Sequence, residues 1–255
     1  MDMFFSFLTP GLAAYTLAIA VLAGLVKGMV GFAMPMILVS GLGTVLPPEV
    51  ALAGLILPTV VTNGVQALRH GPAAALTSIR RFRVFLVVGG VFLLASAQLV
   101  AVLPIPVMLL ILGVMITGFT LMQLAGVRFR LSAPSTRIEA AVGAFAGSIG
   151  GVSGVWGPPT VAYLTALNTP KADQIRVQGV IYGLGALVLM VAHVASGVLN
   201  RETLPFSAAL LVPTLLGMWL GGRIHDRIDQ QAFRRATLVV LTLAGLNLLR
   251  RGLIG

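Results

Sequence analysis

The sequence predicts an all-α integral membrane protein with about eight hydrophobic helical segments in two repeats. Its composition argues against a soluble domain, because 58% of the residues are hydrophobic, only 9% are charged and the mean hydropathy is +1.02. A second observation divides the chain: residues 24–47 and 147–170 carry the same spacing of glycine and proline, 123 residues apart. We therefore expect membrane repeats over residues 1–127 and 128–255, each starting with a broken or re-entrant helix.

Uncharged stretches mark the expected membrane crossings, since a helix needs about 20 apolar residues to span a bilayer. Five such stretches are read as one crossing each: 50–68, 84–103, 105–127, 177–200 and 203–222. The shorter stretch 236–249 is also expected to cross, because arginines at its ends can snorkel. The first apolar segment, 3–26, follows Asp2 rather than a basic region, so we expect it to stay in the membrane rather than be cleaved.

Two segments, 10–48 and 140–170, are too long for one straight crossing and contain the glycine and proline frame. If each crosses once, the 16 Lys and Arg residues other than Lys27 divide 10 inside to 6 outside; if each returns to its starting side, they divide 13 to 3. The second distribution fits the positive-inside rule better and makes the repeats inverted. Single kinked crossings with parallel repeats stay open.

The repeated frame predicts where a ligand binds. Unpaired backbone groups at a helix break are tolerated only beside protein or a watery cavity, and the N-terminus of the following half-helix favours a small anion. The binding candidates within the two breaks are Gly28, Gly31, Pro35, Gly151, Ser153, Gly154, Trp156 and Pro158. Close helix packing is the alternative role of the pairs Gly24/Gly28 and Gly147/Gly151, and the expected role of Gly179/Gly183 and Gly217/Gly221.

Lys27 is the only Lys or Arg well inside an apolar stretch. A charge there costs about 2.5 to 3.5 kcal/mol on insertion scales, so a cavity or counter-charge is expected, and an anion would supply it. Snorkelling of the Lys27 side chain to an interface is the alternative.

Four polar residues in the following spans are expected to orient a ligand or to hydrogen-bond between helices: Asn63, Gln66, Gln178 and Tyr182. His193 is a proton-relay candidate, with packing as the alternative.

The runs Gly24-Leu-Val-Lys-Gly-Met-Val-Gly-Phe-Ala-Met-Pro35 and Gly147-Ser-Ile-Gly-Gly-Val-Ser-Gly-Val-Trp-Gly-Pro-Pro159, with Pro47 and Pro170 downstream, carry a family resemblance. With these residues the chain resembles the sulfite exporter TauE/SafE family of membrane transporters. The resemblance implies transport of small sulfur-containing or organic anions such as sulfite, sulfonates or sulfoacetate. It also implies the cytoplasmic membrane of a prokaryote. Lys27 departs from the glycine-rich run usual there, where the second copy has Gly150.

Two other functional classes remain open at this point. A passive anion channel has the same sequence features as a carrier. An intramembrane protease would use Ser153, within Gly-x-Ser-Gly, and His193 as a Ser/His dyad. We expect a carrier rather than an enzyme, with a small anion and the lipid bilayer as partners and with no cofactor, metal or nucleic acid. A homo-oligomer stays open.

Overall fold

The computed structural model describes residues 9–97, 105–127, 131, 135–153, 157–195 and 197–254. Over these ranges the chain is helical, as predicted. The helices are α1 Pro10–Val30, α2 Met34–Leu42, α3 Pro48–Leu68, α4 Pro72–Arg81, α5 Arg83–Ala97, α6 Ile105–Leu124, α7 Thr136–Ser153, α8 Gly157–Ala166, α9 Lys171–Ala195, α10 Leu204–Ala209, α11 Leu211–Arg227 and α12 Gln230–Ile254.

Five of these helical segments are long and apolar enough to cross a membrane. Among the described residues they are Pro10–Val30, Val50–Leu68, Lys171–Ala195, Leu204–Arg227 and Gln230–Ile254. Large apolar side chains stay exposed on their outer surfaces, Leu243 and Val212 among them, as lipid contact requires. The prediction of an all-helical membrane protein is confirmed, whereas the count of eight segments and the repeat organisation stay predictions.

The chain forms two compact units, and both halves of the sequence contribute to each. Unit 1 comprises Met1–Pro72 and Gln178–Ile228, and unit 2 comprises Ala73–Val177 and Asp229–Gly255. Each unit is a group of helices that pack against one another in space, so it is defined differently from a sequence repeat. The repeat boundaries predicted from the sequence, 1–127 and 128–255, remain a separate prediction.

Glycines hold α1 and α11 together in unit 1. A Cβ on Gly24 or Gly28 of α1 would collide with a backbone carbonyl of α11, and a Cβ on Gly217 or Gly221 of α11 would collide with one of α1. The two backbones are therefore in direct contact. Small residues permit this contact in the membrane, where helices associate through close packing rather than hydrophobic burial.

Unit 2 contains two further helix pairs of the same kind. Where α5 crosses α7, a Cβ on Gly147 would collide with the carbonyl of Gly89. Where α6 crosses α12, a Cβ on Gly245 would lie 3.1 Å from the backbone nitrogen of Thr117. The Thr242 hydroxyl donates to the Thr120 hydroxyl across the second pair at 2.8 Å. Small side chains and interhelical hydrogen bonds thus set the spacing of these helices.

The first broken segment folds back on itself. Pro10 starts α1 behind the Thr9 N-cap, and Gly31 ends it with a left-handed φ of 91°. After α2, the Tyr15 hydroxyl of α1 donates to the carbonyl of Gly41 at 3.1 Å. Because Tyr15 lies near the start of α1 and Gly41 near the end of α2, α2 returns along α1 as a hairpin.

The second broken segment also returns to its start. Helix α7 ends at Ser153 and α8 begins at Gly157; the residues between them lie outside the described part of the chain. The backbone N–H of Leu131, which precedes α7, donates to the carbonyl of Ala166 at the end of α8, at 2.9 Å. The ends of the α7–α8 segment therefore lie side by side, and a single kinked crossing would have separated them.

These hairpins make the compartment of the loops testable. We expect a reporter inserted at residues 169–171 to be cytoplasmic and a reporter fused after residue 255 to be external, in keeping with the 13-to-3 charge division. Paired alkaline phosphatase and green fluorescent protein fusions would measure this. Opposite signals at both sites would contradict this orientation and leave the arrangement with single kinked crossings standing.

The α1–α11 contact predicts a difference between two adjacent glycines. A methyl group on Gly221 meets the carbonyl of Leu25, whereas nothing lies within 4 Å of a Cβ on Gly222. We expect Gly221→Ala to destabilise the protein by about 1 to 3 kcal/mol. Gly222→Ala, the matched control, should be neutral or stabilising by up to about 1 kcal/mol, because alanine favours a helix. Thermal unfolding in detergent measures both, and equal melting temperatures would contradict the contact.

Candidate functional site

The break between α1 and α2 is built from local backbone geometry. Gly31 takes a φ of 91° and Ala33 a φ of 73°, so two left-handed residues flank Phe32. Glycine adopts this geometry at no steric cost, but alanine does so under strain of about 1 to 3 kcal/mol. Pro35 lies in the first turn of α2, where a missing N–H costs nothing. The predicted break at Gly31 and Pro35 is thus observed.

Side-chain amides donate hydrogen bonds to backbone carbonyls at the break. With its nitrogen turned toward the break, the Gln178 amide donates to the carbonyl of Gly31 at 3.0 Å and to that of Val30 at 3.3 Å. The Gln66 amide donates to the carbonyl of Lys27 at 3.2 Å, and the Gly31 N–H reaches that same oxygen at 2.7 Å. These amides supply the donors that hydrocarbon cannot.

Glycines on α9 bring these amides to the break. A Cβ on Gly179 would lie 2.5 Å from the backbone nitrogen of Ala67 and 2.7 Å from Cβ of Gln66, so α9 and α3 touch through their backbones. One turn later, a Cβ on Gly183 would lie 3.5 Å from Cβ of Asn63. The expected packing role of Gly179 is confirmed. The close contact lets residues of α3 and α9 reach one break.

Lys27 ends inside this polar cluster. Its side chain is 1% exposed, and Nζ donates to Oδ1 of Asn63 at 2.6 Å. An ammonium has three donors, and the ion pairs found among the described residues leave Lys27 without a carboxylate. Its side chain is directed to Asn63 within the protein rather than snorkelling to an interface. A buried ammonium with only a neutral partner is costly unless a counter-charge arrives.

The cluster also contains an unsatisfied acceptor. Gln66 is buried, and its Oε1 has no hydrogen-bond partner among the described atoms. Tyr182 is buried one turn beyond Gln178 on α9. The region around the break therefore presents a cationic donor at Lys27 and an open acceptor at Gln66. It has the polar groups to bind a small charged ligand.

The remaining predicted residues have different surroundings. Gly28 packs against the backbone of Met218, so a close helix contact accounts for glycine there. Pro158 is buried in the first turn of α8, and Gly151 and Ser153 lie in the last turn of α7. Gly154 and Trp156 lie outside the described residues. The binding roles of these residues stay predictions.

Sequence reasoning missed two hydroxyl groups on α8. The Tyr163 hydroxyl and Thr165 Oγ1 are buried, and neither has a hydrogen-bond partner among the described atoms. The Tyr163 ring stacks on Phe85 with centroids 6.4 Å apart. The available signal was the presence of polar residues in the half-helix directly after the second glycine frame.

His193 lies in the last turn of α9, partly buried, and its relay role stays a prediction.

Comparison with known proteins identifies the family. The profile of the family described as Sulfite exporter TauE/SafE matches residues 16–248. The chain belongs to this family. No curated protein and no solved structure gives a significant match. Because TauE/SafE proteins are membrane transporters, membership confirms the predicted family and agrees with a transporter rather than an enzyme.

Two substitutions measure how the break is held together. Gln178→Met removes the donor from the carbonyls of Val30 and Gly31, and we expect a loss of about 1 to 3 kcal/mol in stability. Gln66→Met should cost less, because the carbonyl of Lys27 keeps the Gly31 N–H and an unsatisfied Oε1 disappears. Thermal unfolding in detergent measures which of the two variants loses more stability. A larger loss for Gln66→Met would contradict the assigned hydrogen bonds.

Proposed function

We propose that the protein is a secondary transporter of small anions, sulfur-containing or organic, and that Lys27 binds the anion. One observation carries the proposal. Lys27 is a fully buried ammonium with a neutral amide as its partner and no carboxylate among the described residues. A structural lysine in this setting would be paired with an acid, because a lone buried charge is unfavourable. A substrate anion is the missing counter-charge.

The half-helix that follows the break adds to the attraction. Helix α2 begins at Met34 without a side-chain cap at Ala33. Its N-terminus carries a partial positive charge, as at other anion sites on helix termini. Asn63 orients the ammonium from α3, so the cation is held in position before the ligand binds. A donor held in position in this way loses little conformational freedom when an anion binds.

We further propose that the chain consists of two inverted repeats that rock about the substrate site. The half-helices α2 and α8 begin at residues 34 and 157, and α3 and α9 begin at residues 48 and 171, so both pairs are 123 residues apart. Each half also begins with a hairpin that returns to its starting point. This pattern is common among secondary transporters and supports alternating access.

Membership of the TauE/SafE family supports a proposal for the membrane and for the transported anion. We take the protein to lie in the cytoplasmic membrane of a prokaryote and to move sulfite, a sulfonate or a related anion, with export as the first direction to test. A small anion and the bilayer are its proposed partners. A passive channel is the alternative, and exchange distinguishes the two: a carrier accelerates uptake of labelled anion when the opposite side holds unlabelled anion, whereas a channel dissipates the gradient.

Lys27→Met tests the anion site. The change keeps length and apolar bulk while it removes the charge, so membrane insertion should be unharmed. We expect apparent anion affinity to fall by about 10- to 1,000-fold, as loss of a desolvated charge partner predicts. Lys27→Arg should keep part of the activity, because a planar guanidinium replaces a compact ammonium.

The measurement is concentration-dependent sulfite, sulfoacetate and sulfate flux in proteoliposomes. Lys171→Met is the matched control, because Lys171 is the only other lysine and lies at the start of α9. The control should transport like the parent protein. A Lys27→Met curve that overlays the parent curve at equal protein content would remove Lys27 from the site.

A further inference from the structure

A cavity with polar side chains in its lining lies within unit 2. It has a volume of about 320 Å³ and is an open pocket lined by the last turn of α4, the turn after α8 and the start of α9. Its polar lining includes Ser78, Arg81, Asn168, Asp173 and Arg176. We call it the Arg81/Arg176 cavity. Its volume is at the small end of ligand pockets, which suits a small ion with a few waters.

A buried carboxylate fixes Arg81 on one side of the cavity. Arg81 Nη1 donates to Oε2 of Glu139 at 3.2 Å, and Oε1 of Glu139 accepts the backbone N–H of Phe85 at 3.2 Å. Glu139 is only 3% exposed, whereas the Arg81 side chain is 40% exposed, so the carboxylate is shielded from water and the guanidinium reaches the cavity surface. Arg81 thereby uses one of its five N–H donors among the described hydrogen bonds. The other donors remain for a ligand.

Arg176 lies on the other side of the cavity and has two polar partners. Its Nε donates to the Ser78 hydroxyl at 2.9 Å, and its Nη2 pairs with the Asp173 carboxylate at 2.8 Å, as expected from their spacing. The Asp173 side chain is 44% exposed, whereas that of Arg176 is 17% exposed. Because the carboxylate of this pair is exposed, water weakens its attraction to Arg176, and another anion can compete with Asp173 for the guanidinium.

We propose that the Arg81/Arg176 cavity binds a tetrahedral oxyanion group, such as sulfate, a sulfonate or a phosphate, with Asp173 as an internal competitor for Arg176. Guanidinium groups match the oxygens of such groups through paired N–H donors. The Ser78 hydroxyl and the Asn168 amide add neutral polar groups to the lining. This binding site is additional to the Lys27 site and does not depend on transport.

The oxyanion has two sources with the same chemistry. It is either a free ion or the phosphate of an anionic phospholipid, because the basic ends of α4 and α9 are expected near a membrane interface. Both sources bring the same oxygens to the arginines. Separate measurements with sulfate and with lipid therefore identify the source without changing the site.

The first measurement is binding of radiolabelled sulfate to the full chain in neutral detergent at constant ionic strength. We expect Arg176→Gln to weaken sulfate binding by about 10- to 100-fold, as loss of a charge-assisted donor predicts. Asp173→Asn should tighten binding by about 3- to 10-fold, because the competitor loses its charge. Damage to the fold would not produce this gain. Arg81 is left unchanged, since its loss would strand the buried Glu139.

Two controls separate this cavity from other basic sites. Arg235→Gln removes an exposed arginine of α12 outside the cavity lining and should bind sulfate like the parent protein. In a Lys27→Met background, the opposite effects of Arg176→Gln and Asp173→Asn should persist. These effects on sulfate binding do not require transport through the Lys27 site. A failure of the transport proposal therefore leaves the cavity proposal intact, and the reverse is also true.

The second measurement places the protein in nanodiscs of phosphatidylcholine with and without phosphatidylglycerol. If a lipid headgroup fills the cavity, phosphatidylglycerol should raise the unfolding temperature of the parent protein and of Arg235→Gln but not that of Arg176→Gln. Either sulfate binding or lipid stabilisation with this dependence supports the site. Equal responses of all variants to both ligands, or weaker binding in Asp173→Asn, would overturn it.

Discussion

An interrupted helix in hydrocarbon must find hydrogen-bond partners for its open backbone groups, and unit 1 is organised around this requirement. The interruption at residues 31–33 exposes carbonyl oxygens at the end of α1. Gln66 and Gln178 supply the donors from α3 and α9. Because each unsatisfied group would cost several kcal/mol, the break exists only while these helices stay in contact. The region around Lys27 is therefore formed by tertiary contacts as well as by the local frame.

Glycine has two separate roles in this arrangement. Gly31 gives the backbone a left-handed conformation at the break. Gly24, Gly28 and Gly179 remove side chains where two helix backbones meet, and the amides and the ammonium reach the break because of that proximity. The repeated glycines thus have different structural roles within one frame, since Gly31 forms the break and Gly24 and Gly28 permit close packing. Packing determines where the polar side chains lie.

The sequence was sufficient for features that depend on local chemistry. Apolar composition predicts helices in a membrane, and Gly31 with Pro35 predicts a break. The charge division favoured a returning α2 without deciding it, because the direction depends on the contact between Tyr15 and Gly41, 26 residues apart in the chain. The cap from Gln178 depends on helix packing over a still longer separation. The same limit applies to the Arg81–Glu139 pair, whose partners are 58 residues apart.

Lys27 and Glu139 are both buried, and they differ in whether the protein balances their charge. Glu139 is matched by Arg81 and by a backbone N–H, so its charge is balanced within the protein. Lys27 is oriented by the neutral oxygen of Asn63, which stabilises the cation without cancelling its charge. A carboxylate at position 63 would hold the lysine more firmly, but it would also repel an anion. An amide gives up part of that stabilisation and leaves the charge uncompensated, as the proposed anion site requires.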